Sequence, residues 1–430
     1  MRRIGMVLLA LLLLGSMVYA KGGSQQTGGD GIAIWNVHDP SSDANGRIHI
    51  AKYREYMDAH PGITVVHTPM IYDQLREKAI ISGQARTGPD IIHMLGEWVP
   101  EFVQMGLLQD VTDQLKAWPD YSAFPASTWK VSTVNGRIYG IPSVASTRVL
   151  IYRDDMFREA GVTAVPKTWT ELRETAKKLT RDTNGDGSPD VYGFAFCSSS
   201  KAVRGPQEFA VFLYSVNKGE LAVQQGGKWA PGFTVDQAEK VLQFYSDLMF
   251  VDKSVPPFSI GWEYDEMDTN FRNGTLAMTQ NGAWMSDASQ MPDIKAVKTA
   301  AFPYHTNPST YLEVKIEGFG SYGRQKAEAL DFAKWLFGRD NMVQLYATDN
   351  LPARSDAAQS PLWKADPVWK GTFLDTVKDG FTLPAIPLAP ILEATMASVQ
   401  EVLYQRMTPR QSAQDFYNKV KNYLDTEVNN

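Results

Sequence analysis

Along the chain, apolar positions switch repeatedly between the spacing of a strand and the spacing of a helix. After residue 30, "GIAIWNV" is a β-branched and aromatic run that predicts a strand. "RIHIAKYREYMDAHPG" carries helical spacing and stops at Pro61-Gly62, and "ITVVHTP" predicts a second strand. "QLREKAIISGQ" then predicts a helix, "DIIHML" a buried strand and "PEFVQMGLLQDV" a helix running into a turn. Strands alternating with helices predict an α/β layered fold with a mostly parallel sheet.

The middle of the chain repeats this style. "TRVLIYRDDMF" predicts a strand, and "TWTELRETAKKLTR" a helix with Thr168 as N-cap and Glu171 at the capping-box position. Its apolar residues Trp169, Leu172, Ala176 and Leu179 fall at helical spacing. A second capping pair, Thr234 and Gln237, opens the helix carrying "VLQFYSDLMF". The chain closes on helices around "EATMASVQEVLYQR" and "TPRQSAQDFYNKVKNYL", the latter capped by Thr408 with Pro409 at its first position. Length predicts two or three domains, and no repeat of 20–50 residues is visible.

The first twenty residues change the picture of where the protein works. Arg2 and Arg3 precede "VLLALLLLG", and Val18 and Ala20 flank Tyr19, the pattern of a secretory signal peptide cut after Ala20. The apolar run is shorter than the ~20 residues of a membrane-spanning helix. Residues 21–30, "KGGSQQTGGD", predict a flexible leader. Cleavage removes two positive charges, taking the net charge from -6 to -8, and no Lys/Arg block follows. Nucleic acid and anionic membrane are therefore poor partners. The single cysteine, Cys197, excludes an internal disulfide, so stability rests on a large core, which a chain 43% hydrophobic can build.

One stretch, "RDTNGDGSPDVYGF", crowds three acids into a loop between the Thr168 helix and a strand. Asp182, Asn184, Asp186, the Ser188 carbonyl and Asp190 occupy positions 1, 3, 5, 7 and 9 of an EF-hand-like loop, with Gly187 at position 6. Position 12 is Gly193, which supplies no carboxylate, and "VYGFAF" is a strand rather than a second helix. The expectation is a truncated loop around a structural calcium ion; an ordinary Asx turn is the alternative. Motifs of catalysis are poor: there is no G-x-S-x-G, no P-loop and no H-E-x-x-H, and six His show no zinc spacing. Cys197 reads as a buried structural thiol.

Several blocks together resemble the extracellular solute-binding proteins of bacterial ABC importers, in the sugar-binding branch that includes maltose-binding protein. The resemblance rests on "IAIWN", "GPDIIHMLGEWVPEFVQMGLLQDV", the segment "NGRIYGIPSVASTRVLIYRDDMFREAG", and "FRNGTLAMTQNGAWMSD" with its "NG-W". It implies a two-lobed α/β periplasmic-binding-protein fold that hinges around a sugar. Residues 31–142 and 301–350 would form lobe 1, and 143–300 and 351–430 lobe 2. It also implies a periplasmic, monomeric protein that delivers carbohydrate to permease subunits.

A sugar offers apolar C–H faces and a rim of hydroxyls, so its binders are flat rings and side chains that donate or accept hydrogen bonds. Trp284 sits on the "NG-W" position and is the first stacking candidate. Glu97 and Trp98 follow a predicted strand, and His38 and Asp39 follow the first one, where ligands meet such sheets. Asp39 could equally cap the following turn. Ser146 and Arg148 lie in the expected crossing, where Arg148 binds ligand or anchors the hinge. Trp262 lies on a Gly/Pro-flanked loop. Glu317, Gly318 and Phe319 mark the return to lobe 1, and Arg354 lies near the last crossing. Gln207 and Glu208 complete the set. Two other readings stay open: a secreted glycoside hydrolase using Glu97 with Asp39 or Glu317, which needs carboxyls about 5–9.5 Å apart, and a binder of a non-sugar solute such as a polyol phosphate or a peptide.

Overall fold

The computed structural model describes residues 31–200, 203–286, 294–347, 350–361, 369 and 371–429. The expected signal peptide and leader lie outside them. The chain lays down β1 (Ile32–Asn36), β2 (Val65–Pro69), β3 (Ile91–Leu95) and β4 (Gly140–Ser146) in one sheet. It crosses to a second sheet with β5 (Val149–Arg153), β6 (Tyr192–Ala195), β7 (Leu276–Asn281) and β8 (Val297–Ala300), then returns with β9 (Glu313–Phe319). The orders are β2-β1-β3-β9-β4 and β8-β5-β7-β6.

Both sheets are more mixed than the alternation predicts. β1 runs parallel to β2 and β3, and β6 to β7, but β9 is antiparallel to β3 and β4, and β5 to β7 and β8. The antiparallel members β5 and β9 are the strands that enter a sheet directly from a crossing, without the helix that a parallel return requires.

The crossings also move the expected seams. Residue 142 falls inside β4, which pairs with β9 from Gly140 to Ser146, so the first crossing is Thr147–Arg148. The stretch after 350 stays with the first sheet, since Ala145 and Ala353 donate to the carbonyls of Leu351 and Ser143. Only later does the chain join the second sheet, where Thr372 meets Thr299 at 2.9 Å.

Helices cover both sheets. α1 (Ala44–Ala59) and α2 (Tyr72–Gln84) flank the first sheet. α3 (Trp169–Leu179), α4 (Arg204–Ser215), α5 (Val235–Ser246), α6 (Tyr264–Arg272), α7 (Ala389–Leu403) and α8 (Pro409–Tyr423) belong to the second half. The capping boxes at Thr168, Thr234 and Thr408 are all formed. Trp169, Leu172, Ala176 and Leu179 are buried together on one face of α3, in a core shared with α4, α5, α7 and α8.

Candidate functional site

The crossing at Thr147–Arg148 places a long cation between the two sheets. Arg148 is 2% exposed, and its Nη2 donates to Glu313 Oε1 and to Gln207 Oε1, both at 2.8 Å. Gln207, from the first turn of α4, donates its Nε2 to Glu97 Oε1 at 2.8 Å, and the Tyr311 hydroxyl donates to Glu97 Oε2 at 2.8 Å. Glu97 follows β3 of the first sheet, so this chain of donors and acceptors joins the two halves directly.

On one side of the bridge lies a cleft of about 300 Å³ with walls from both halves. On the other is a rear cavity of about 430 Å³, touched by Glu97, Tyr311 and Trp229.

Trp284 dominates one wall of the cleft. Its ring centroid lies 4.6 Å from Arg148 Cζ, 5.3 Å from Arg204 Cζ and 5.5 Å from Lys315 Nζ. Arg204 grips Asp268 through two bonds of 2.7 and 3.2 Å, and Asp268 also accepts from Asn281 Nδ2 at 2.7 Å. Burial alone would raise the Asp268 carboxyl, but Arg204 and Asn281 reverse that and hold it below its usual value. The same contest at Glu313 ends at about 2, because Arg148 and Lys315 outweigh its burial. Both deep carboxylates are therefore ionised, and serve as acceptors rather than as acids.

The opposite wall comes from the turn after β1, the end of β3, α2 and β9. Glu313, Lys315 and Glu317 alternate along β9 and so share one face. The Tyr72 hydroxyl, on the cleft wall, meets His93 Nε2 at 3.0 Å, and His93 Nδ1 meets Glu317 Oε1 at 2.5 Å. His38 stacks on His49 with ring centroids 3.9 Å apart, and burial holds the His38 pKa well below its usual value.

Of the residues singled out in the sequence, His38, Arg148, Gln207 and Trp284 line the cleft. The others have different surroundings. Asp39 closes the turn before α1, accepting from Ser41 N and Oγ at 2.8 and 2.7 Å. Glu97 faces the rear cavity rather than the cleft, because it is drawn onto Gln207 and Tyr311. Trp98 packs in the apolar core beside Tyr72 and Phe102.

Ser146 is fully buried at the crossing. Glu208 turns into the second core and accepts from Cys197 N at 2.8 Å. Trp262 is buried against Phe258. Glu317 lies beneath the cleft on His93; Gly318 and Phe319 are buried strand positions, and a Cβ on Gly318 would meet Met94 Cε at 2.1 Å. Arg354 is pinned between Asp120 and Asp356 at 2.9 and 2.8 Å. Sequence reasoning missed Tyr72, Arg204, Asp268, Glu313 and Lys315. Only the alternating charges of "EVKIE" gave a readable signal, since ionisable residues on every second position of a buried strand must face something polar.

In the acidic loop, Asp182 accepts from Gly185 N and Gly187 N at 2.6 and 2.7 Å, and Asn184 and Asp186 accept from Asp186 N and Ser188 N at 2.9 Å each. Asp190 accepts from Thr183 N and Oγ1. Among the described residues, no three His, Cys, Asp or Glu side chains are gathered as a metal-binding group.

Residues 51–370 match the model of the family described as bacterial extracellular solute-binding protein. The chain belongs to that family.

Among curated solute-binding relatives, the maltotriose-binding protein of Pyrococcus abyssi is 23% identical over 88% of this chain and 78% of its own length. The galactooligosaccharide-binding protein of Bacillus subtilis is 23% identical over 77% of this chain and 75% of its own. A crystal structure of an ABC transporter solute-binding protein from Thermotoga lettingae, bound with alpha-D-tagatose, superposes with a TM-score of 0.83 at 25% identity, covering 92% of this chain and all of that one. Among the described residues of this solute-binding protein, no helix is long and apolar enough to cross a membrane.

Proposed function

We propose that this solute-binding protein captures a small carbohydrate between its halves and hands it to the permease of an ABC importer, without chemically changing it. The observation that carries the reading is the cleft wall at Trp284. There an indole is flanked by Arg148, Arg204 and Lys315 as donors and by Asp268 and Glu313 as acceptors. Rings with charged hydrogen-bonding neighbours suit the apolar face and hydroxyl rim of a sugar. Named relatives that bind maltotriose and galactooligosaccharides support the ligand class.

Glycoside hydrolysis needs two carboxyls facing each other across the ligand, whereas Asp39 closes a turn, Glu97 faces the rear cavity and Glu317 lies beneath the cleft on His93. That supports binding without turnover. The protein works as a monomer outside the cytoplasm, after cleavage of the signal peptide at Ala20. The acidic loop at Asp182–Asp190 holds calcium away from the cleft, a proposal supported by its residue types and spacing.

A thermal-shift screen over D-glucose, D-galactose, D-tagatose, maltose and maltotriose tests the reading. A bound sugar at 100 times its Kd adds about 2.7 kcal/mol of stability, and the recovered sugar is unchanged by chromatography. A charged non-sugar shifting the melt while no sugar does would overturn the ligand class, and released product would overturn the binding-only reading.

A further inference from the structure

The cleft wall formed by β9, β3 and α2 carries a row of hydrogen-bonding groups. At one end stands Lys315. Its side chain is 10% exposed, and it lies over the rings of Tyr72 and Trp284, 5.7 and 5.5 Å from their centroids. Its paired carboxylate oxygen, Glu313 Oε2, is 3.7 Å away and is shared with Arg148. The ammonium therefore has protons to donate into the cleft, and a buried ammonium lacking acceptors is costly.

At the other end stands Glu317, whose carboxylate can only accept. It meets His93 Nδ1 at 2.5 Å, and because a carboxylate only accepts, Nδ1 is the donor; a ring carrying that proton alone has Nε2 as an acceptor. His93 is completely buried, and its Nε2 lies 3.0 Å from the Tyr72 hydroxyl. The Tyr72 proton is thus directed inward to His93, and the oxygen shows the cleft only its remaining lone pair.

Donation runs in one direction along this wall. We propose that a single ligand hydroxyl completes it, accepting from Lys315 and donating to Tyr72, with His93 and Glu317 as the positioning residues that hold Tyr72 as an acceptor. The sequence is then ammonium, ligand hydroxyl, tyrosine hydroxyl, imidazole, carboxylate, with a charge at each end to polarise the links between them. The inference rests on the sugar reading and narrows it. An ether or fluorine at that position accepts but cannot donate, and an ammonium donates but cannot accept, so of these groups the free hydroxyl alone satisfies both neighbours.

Two measurements test it, one of them without ligand. Long-range ¹H–¹⁵N spectra of the ligand-free protein should show His93 with Nδ1 protonated and Nε2 bare. A protonated Nε2 would overturn this proposal and leave the sugar reading intact. In the second, the sugar giving the largest melting shift in the screen is compared with its singly O-methylated and singly deoxyfluorinated analogues. One position should lose about tenfold in affinity, the cost of leaving the Tyr72 oxygen without its donor. Tyr72→Phe and His93→Leu should each erase that discrimination. His93→Gln should keep it, because the amide can donate to Glu317 and accept from Tyr72. Undiminished discrimination in Tyr72→Phe overturns the proposal, and no shift with any sugar overturns it together with the reading on which it rests.

Discussion

Trp284 keeps its place because the residue two positions before it has no side chain. A Cβ on Gly282 would fall 1.8 Å from Trp284 Cζ3, so the indole lies directly on the Gly282 backbone. Asn281, just before it, donates to Asp268, and the Trp284 Nε1 reaches the same carboxylate at 3.4 Å. Every specified position of "NG-W" therefore has a mechanical role, while Trp284 itself was picked out from sequence only through the family resemblance that this motif carries. Gly282→Ala must push the ring off its seat, so it should weaken sugar binding about as much as Trp284→Ala while the melting temperature of the free protein changes little. Calorimetric titration of both variants checks this, and wild-type affinity in Gly282→Ala would show that the ring's position is immaterial. Arg204 and Asp268 were invisible by the same logic, since they sit in ordinary helical sequence and acquire meaning only from each other.

At the scale of elements, the junction of α3, the acidic loop and β6 explains the departure of that loop from an EF-hand. A Cβ on Gly193 would lie 2.0 Å from the Ala176 carbonyl oxygen of α3. No carboxylate can stand at position 12, because strand and helix backbones are in contact there. The loop itself turns through Gly185 and Gly187, with φ of 79° and 89°, values that favour glycine. If calcium sits among Asp182, Asn184, Asp186 and Asp190, a chelator should lower the melting temperature and calcium should restore it, with sugar affinity unchanged. Asp186→Ala should abolish the response, and an unaltered melt in chelator with no metal by elemental analysis would make the stretch a plain Asx turn. Local signals such as the capping boxes were legible because their partners lie three residues apart. The antiparallel course of β5 and β9 was not, since strand direction depends on which sheet a crossing enters.

For the whole molecule, stability should depend on pH through a carboxyl that never reaches the cleft. Burial in the second core raises Glu208 from 4.5 to about 8. The folded chain thus holds a proton that the unfolded chain releases above 4.5. Such a group contributes stability that is complete below pH 4.5 and is lost as pH rises through 8. His49, lowered to about 4 by burial, acts in the opposite sense and loses stability as pH falls below 6.5. Between pH 6.5 and 8, therefore, the Glu208 contribution falls while that of His49 stays nearly constant. Wild type should lose about 2 kcal/mol across that interval, measured by denaturant titration, and Glu208→Gln should lose much less. Equal slopes would show that the carboxyl is already ionised at neutral pH.

The two-lobed architecture was legible because its block order is spread over the whole chain. The cleft was only partly so, because its walls join segments more than a hundred residues apart, as Arg148 and Glu313 do.

Cys197 is the chain's single cysteine; it is fully buried, and its thiol pKa is driven upward by burial and by the neighbouring Glu208. A thiol that forms no thiolate and meets no solvent does not react with maleimides. The native protein is consequently blank to thiol-directed dyes, and needs no cysteine removed before new ones are added. Cysteines placed at exposed Asp58 on α1 and Asn418 on α8 would carry a donor and an acceptor fluorophore on opposite halves. Energy transfer between them would read the separation of the halves optically, and a change on adding sugar would show that the halves close around it.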